Sequence, residues 1–137
     1  MDTAAPTAHA LMMQSLEAVA GTGTDLVPRY FERFFALYPA QEGNFHNRVT
    51  SRGGMVNEML TMLLAQAEGA AWVPTIMRAQ VATHYDHGDI ALEQYRGALD
   101  LLVEVLAEAA GQGWDAAQER AWRGEAERLF ALIADYF

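Results

Sequence analysis

The sequence predicts an all-α protein, and three observations support this prediction. Apolar residues recur every three or four positions along most of the 137-residue chain, which is the spacing of helices with one buried face. No segment shows the sustained two-residue alternation of a half-buried strand. Glycine, proline and capping residues divide the pattern into segments of ordinary helix length. We therefore expect about six or seven helices in a single domain over residues 1–137, with about residues 1–6 disordered.

Glycine and proline delimit the first two predicted helices. The first covers about residues 7–20 and ends at Gly21. The second begins after Asp25, whose carboxylate can cap it, and ends at Pro39, because proline cannot continue a helix. Residues 40–50 are predicted to be a loop or a short, tight helix.

The central part of the chain predicts two more helices. One covers about residues 51–67 and is broken at Gly69. The next has Pro74 in its first turn, where a missing N–H is tolerated, and runs to about His84.

The last two predicted helices are separated by glycines. Asp89 is expected to cap a long helix that ends at Gly111, and Asp115 with Gln118 has the pattern of a capping box for the final helix. Its predicted buried face contains Trp122, Leu129, Phe130 and Ile133. The glutamates of both helices are expected on solvated faces, namely Glu104, Glu108, Glu119, Glu125 and Glu127.

Composition excludes several classes of function. Cysteine is absent, so disulfides, thiolate metal sites and cysteine nucleophiles are excluded, and a cytoplasmic location is expected. No apolar run approaches the roughly 20 residues of a membrane span, and the N-terminus lacks the pattern of a signal peptide. The net charge is −9 and all nine basic residues are arginines spread along the chain, which disfavours nucleic acid and anionic membranes as partners.

His84 is the residue most suggestive of chemistry. It is expected at the end of a helix whose inner face is apolar, with Ile76, Met77 and Val81. An imidazole there can direct Nε2 into an apolar space while Nδ1 bonds a backbone carbonyl one turn back. Taken alone, a histidine in such a position is more commonly a partly exposed turn residue.

A second interpretation of this region is a divalent-metal site. His84 and His87, with the acids Asp86 and Asp89, form a short cluster of suitable ligands. Such clusters in acidic proteins bind metals weakly, so this interpretation is secondary.

The order and spacing of several short motifs resemble a bacterial single-domain globin, related to the globin domain of flavohaemoglobins. The resemblance extends over roughly residues 7–137 and implies a globin-like fold of six to eight helices around a haem pocket. The chain departs from flavohaemoglobins by one extra residue between His84 and Tyr95 and by the absence of a reductase domain. The motifs are Phe35-x-x-x-Pro39, Phe45, His84, Tyr95, Gly113-Trp114 and Ala121-Trp122.

The resemblance implies a haem b cofactor with His84 as the proximal iron ligand. Phe45 matches the phenylalanine that stacks against the haem, and Val81 and Tyr95 belong to the proximal side of the pocket. Phe31 stands where many bacterial globins carry a tyrosine that hydrogen-bonds bound oxygen. Because phenylalanine cannot donate this bond, we expect bound oxygen to be held weakly.

Two registers are open for the distal helix. Counting back from His84 places Arg52 over the iron and Val56 one turn on, with Gly53 as a small residue where two helices cross. An arginine there can bind an anion or turn outward to a propionate.

The alternative register counts forward from Phe45 and places Met55 and Met59 on the distal side. A methionine packs dry or, less commonly, ligates iron. We favour the first register, because it also places Leu60 and Leu63 on the inner face.

Together these interpretations predict a haem protein that reversibly binds O2, NO or CO for gas storage, sensing or detoxification of NO or peroxide. Any enzymatic activity would be weak NO dioxygenase or peroxidase activity supported by an external reductase. The alternative is a haem-free globin-like domain for sensing or protein interaction. The sequence specifies no oligomeric state.

Overall fold

The computed structural model describes residues 5–45, 48–87 and 90–137, with the backbone alone at 48–50 and 85–87. Within these ranges the protein contains six α-helices, two 3-10 helices and no strand, which confirms the all-α prediction. The α-helices are α1 (Ala8–Thr22), α2 (Leu26–Leu37), α3 (Arg48–Ala67), α4 (Val73–His87), α5 (Leu92–Ala110) and α6 (Ala116–Ala134). The 3-10 helices are Pro39–Asn44 and Gly111–Gly113.

Local capping chemistry sets several helix ends. The carboxylate of Asp25 accepts the N–H of Val27 at 3.2 Å. Asp115 and Gln118 form the predicted capping box, with each side chain accepting the other's backbone N–H at 2.8 and 3.0 Å. These contacts satisfy N–H groups that the first turn of a helix leaves unpaired.

The start of α5 differs from the prediction. Its N-cap is Ala91, whose N–H donates to the side chain of Gln94 at 3.0 Å. Asp89, the predicted cap, lies outside the described residues. Residues 5–7 precede α1 without helical structure, and residues 1–4 of the segment expected to be disordered also lie outside the described part.

The core surrounds α5, which packs against α1, α2 and α6. All six α-helices contribute buried apolar side chains to one contiguous cluster. Trp122 of α6 is completely buried, and its indole N–H donates to Ser15 Oγ at 2.8 Å. Ser15 in turn donates to the carbonyl of Met12 at 2.6 Å, so the polar groups introduced with the indole are satisfied inside the core.

Two glycines allow close approach between elements. A Cβ atom at Gly97 in α5 would lie 1.9 Å from the Tyr38 hydroxyl, and one at Gly113 would lie 2.5 Å from the Ala18 side chain. These positions cannot carry a larger residue unless the neighbour moves.

Two predictions about α6 are wrong. Phe130 was expected in the core but is half-buried, and the Arg96 guanidinium carbon lies 4.0 Å from its ring centroid. Glu125 was expected in solvent but is only 5% exposed. Hydrogen bonds from Gln66 and Arg128, each at 2.8 Å, stabilise its carboxylate away from water.

None of the helices in the described ranges combines the length and the apolar character required to cross a bilayer.

Candidate ligand cavity

A largely apolar cavity lies between α3, α4, α5 and α6, and it contains His84. The empty space between its lining atoms, including the open mouth, is about 730 Å³. The space open to the centre of a water-sized sphere is only about 120 Å³, less than the roughly 300–1,000 Å³ of most small-molecule and cofactor sites, so a bulky ligand would have to displace lining side chains.

The α3 wall of the cavity is made of thioethers and one carboxylate. Met55, Glu58, Met59 and Met62 all line it. Their spacing of three and four residues places them on one face of the helix. Methionine side chains adapt to irregular ligands, so this wall is apolar and deformable.

The α4 wall carries the imidazole. Met77, Gln80 and His84 line the cavity at a spacing that again selects one helix face. Because α4 continues to His87, His84 lies in the last turn of the helix, close to where the prediction placed it.

Phenylalanines close the side of the cavity next to α2. Phe34 and Phe45 line it, and the rings of Phe31 and Phe35 pack against Phe45 with centroid distances of 5.0 and 5.5 Å. This edge-to-face packing fixes the ring of Phe45, which follows the first 3-10 helix.

Amide side chains make up part of the cavity wall. Gln41 of the 3-10 helix donates to Gln94 of α5 at 3.4 Å and accepts from Asn44 at 2.8 Å. Gln94 also accepts the N–H of Ala91. Gln41, Gln80 and Gln94 thus provide amide groups around an otherwise apolar space.

His84 and Tyr95 form a hydrogen-bonded pair. The Tyr95 hydroxyl lies 2.8 Å from His84 Nδ1, where the sequence had suggested a backbone carbonyl. Burial raises the pKa of Tyr95 to about 12, so the phenol keeps its proton at neutral pH. When Nδ1 carries the imidazole proton and donates it to Tyr95, Nε2 presents a lone pair, as a metal ligand requires.

Tyr95 also lies between two cavities. Besides the ligand cavity, it lines a separate surface depression with Val81, Arg78 and Tyr136. Its ring meets that of Phe137 edge-on at 5.7 Å. Tyr95 therefore forms part of the wall of both spaces, and its hydroxyl orients His84.

The structure brings together five of the nine predicted site residues in this cavity: Phe45, Met55, Met59, His84 and Tyr95. Phe31 lies behind Phe45 in the aromatic cluster, Val56 is buried in the core, and Val81 lines the second depression.

Arg52, the remaining predicted residue, packs on the aromatic cluster. Its guanidinium carbon lies 4.8 Å from the centroid of Phe35 and 5.7 Å from that of Phe31. Its Nε is buried without a hydrogen-bond partner in the described part of the chain. A Cβ at Gly53 would meet no atom within 4 Å, so the structure has no close helix crossing there. The α3 residues at the cavity are those of the Met55 and Met59 register.

Sequence reasoning missed several lining residues. Glu58 and Met62 share a face with Met55 and Met59, so helical spacing from the second register would have found them. Gln41 offered no such signal, because it reaches the cavity through the 3-10 helix.

No group of three or more histidines, aspartates and glutamates is placed to hold a metal ion among the described residues. The alternative site with Asp86, His87 and Asp89 involves side chains outside the described part of the chain.

Comparisons with protein-family models, curated protein sequences and solved structures gave no match.

Proposed function

We propose that the chain is a globin-like haem protein that binds haem b in this cavity, with His84 as the proximal ligand of the iron. The observation that supports the proposal most directly is an imidazole facing an apolar cavity, with Nδ1 oriented by the Tyr95 hydroxyl. A histidine ligand commonly has its second ring nitrogen held in this way.

Different lining residues match the chemistry of different parts of haem. Thioether, phenylalanine and leucine side chains match an apolar macrocycle, and His84 supplies the ligand nitrogen. Gln41, Gln80 and Gln94 have amide N–H groups that can donate to propionates. Bound iron(II) would supply an open coordination position for O2, NO or CO.

The protein's own groups would set the properties of that position. Tyr95 holds His84 in one ring orientation and accepts a hydrogen bond from Nδ1–H in the tautomer that carries the proton there, while Phe45 is fixed by its aromatic neighbours. An oriented imidazole loses less freedom when it ligates a metal.

The described side chains of the α3 wall offer no N–H donor to a bound gas. Met55 and Met59 present thioethers, and the Tyr30 hydroxyl, 3.8 Å from Met59 Sδ, donates to the carbonyl of Ala98 at 2.9 Å. Hydrogen-bond donors on the distal side of a haem pocket favour O2 binding, and the thioethers of Met55 and Met59 would supply none. We therefore expect faster oxygen dissociation than in a globin with a distal tyrosine.

An absorption spectrum with added haemin tests the cofactor proposal. The protein should give a sharp Soret band at one haem per chain, and the band should shift when the reduced sample is exposed to CO. His84→Gly should lose the histidine-ligated spectrum and regain it with free imidazole, whereas His9→Gly, at a partly exposed histidine of α1 that pairs with Glu68, should behave like the wild type. A wild-type spectrum identical to that of free haemin would refute the proposal.

A haem-free interaction domain is the second candidate function. Trp72 and Ile76 lie one turn apart near the start of α4 and are 46% and 39% exposed, which is unusual for large apolar side chains this close together. If the haemin titration fails, Trp72 and Ile76 are the first candidates for a surface that contacts a partner protein.

A further inference from the structure

We infer that the ligand cavity selects uncharged aromatic molecules over anionic ones and that Glu58 is the residue that determines this selectivity. The inference concerns the cavity itself and holds whether or not haem is its occupant.

The charges around the cavity oppose the binding of an anionic ligand. Among the described lining residues Glu58 is the only acid, and there is no arginine or lysine. Its side chain is exposed, as expected at the mouth. Within the described part of the chain no arginine lies within 4 Å of its carboxylate, so no ion pair with a described arginine neutralises its negative charge.

The thioether face of α3 gives an anion nothing in return for lost hydration. Met55, Met59 and Met62 flank Glu58 on the same face of α3, and their thioethers donate no hydrogen bonds. An anion entering between these side chains loses water and approaches a like charge, and both effects oppose binding. An uncharged aromatic body meets apolar and polarisable walls.

Haem is compatible with this preference for uncharged molecules, although it carries carboxylates. The propionates extend on flexible arms from one edge of the macrocycle and can remain in water at the amide groups of the cavity wall. A charge attached directly to the ring system has to enter with it.

Two dyes that share one aromatic skeleton test the inference on the protein without haem. N-phenyl-1-naphthylamine is uncharged, and 1-anilinonaphthalene-8-sulfonate differs from it by one sulfonate. Both fluoresce when they leave water. We expect the uncharged dye to bind about tenfold more tightly at low salt, since a like charge a few ångströms away is worth about this factor.

Variants assign the selectivity to Glu58. Glu58→Gln should reduce the difference between the dyes several-fold, and added salt should reduce it in the wild type. Glu104→Gln changes the net charge equally on an exposed part of α5 and should leave the difference unchanged. Met55→Trp should weaken both dyes by narrowing the cavity, with helical circular dichroism confirming that the fold is kept.

The inference is overturned if the two dyes bind equally, if Glu104→Gln has the same effect as Glu58→Gln, or if neither dye binds. The haemin spectrum is a separate measurement, so failure of haem binding and failure of this charge selection are distinguishable.

Discussion

At the scale of single residues, the half-buried Tyr95 phenol predicts that the protein loses stability at alkaline pH. Burial raises its pKa to about 12 in the folded protein, against the ordinary value of 10.0 for tyrosine. A raised folded pKa contributes stability that is complete below pH 10 and is lost as the pH rises toward 12. Burial also raises the pKa of Tyr30. We expect urea midpoints to fall between pH 9.5 and 11.5, and less steeply in Tyr95→Phe; equal slopes would contradict this.

Glu125 gives a prediction about a buried carboxylate. It accepts hydrogen bonds from Gln66 and Arg128 while nearly excluded from solvent. Glu125→Ala should destabilise the protein by about 1–3 kcal/mol, because the Gln66 amide loses its side-chain acceptor. Glu104→Ala on an exposed face should stay within about 0.5 kcal/mol of the wild type. Urea denaturation of both variants measures the difference, and equal stability would show that the hydrogen bonds contribute nothing.

Tyr95 and Glu125 show how little of a residue's environment can be predicted from its own position in the sequence. Glutamate is almost always exposed, so nothing local predicts that Glu125 is buried. Its amide partner comes from Gln66, which is 59 positions earlier in the chain. Tyr95 could be singled out only through the family resemblance, and its contact with His84 depends on how α4 packs on the chain that follows.

At the scale of helices, Gly97 and Gly124 form a matched pair. Both lie inside α-helices, but a Cβ at Gly97 would lie 1.9 Å from the Tyr38 hydroxyl, and one at Gly124 would meet nothing within 4 Å. Gly124→Ala should stabilise by roughly 0.5–1 kcal/mol through helix propensity. Gly97→Ala should destabilise by about 1–3 kcal/mol through overpacking.

A double-mutant cycle checks the cause at Gly97. Tyr38→Phe removes the hydroxyl oxygen that the new methyl group would contact. Gly97→Ala should therefore be better tolerated in the Tyr38→Phe background, with a coupling energy above about 0.5 kcal/mol. Additive effects would show that the methyl group is accommodated by a movement unrelated to Tyr38.

Helix existence was predictable from the sequence, and helix ends only where side-chain chemistry fixed them. The Asp115 and Gln118 capping box is present as predicted. The start of α3 at Arg48 and the end of α4 at His87 each extend the predicted helix by about three residues. Asn47 before Arg48 and Gly88 after His87 are residue types that commonly flank a helix, but the apolar spacing on which the prediction depended began and ended inside them.

At the scale of the whole molecule, a ligand that binds the folded chain alone must raise its thermal stability. At a free haemin concentration of 100 times Kd the gain is about 2.7 kcal/mol, which corresponds to roughly 10 °C for a domain of this size. Differential scanning fluorimetry should show this shift in the wild type and in His9→Gly, and a much smaller one in His84→Gly. An unchanged melting temperature with a bound Soret spectrum would mean that unfolded chain binds haemin as well.

The arrangement of the cavity was only partly accessible from the sequence. Periodicity gave the inner faces of α3 and α4, and the resemblance selected His84 and Phe45. Whether Arg52 or Met55 faces the cavity depends on the rotation of α3 about its axis. Counting back from His84 selected Arg52, whereas counting forward from Phe45 selected Met55. Packing of α3 on the phenylalanine cluster, with Arg52 over Phe35, sets that rotation.

The thioethers of the α3 and α4 walls make the cavity sensitive to oxidants. Peroxide converts methionine to its sulfoxide, a polar and chiral group, so the same side chains can become hydrogen-bond acceptors without any change of sequence. Met55 and Met59 are half-buried and would react first, whereas Met62 and Met77 are shielded at 5% exposure. Oxidative damage would thus begin at the mouth and proceed inward, and reductive repair of the sulfoxides would restore the original wall.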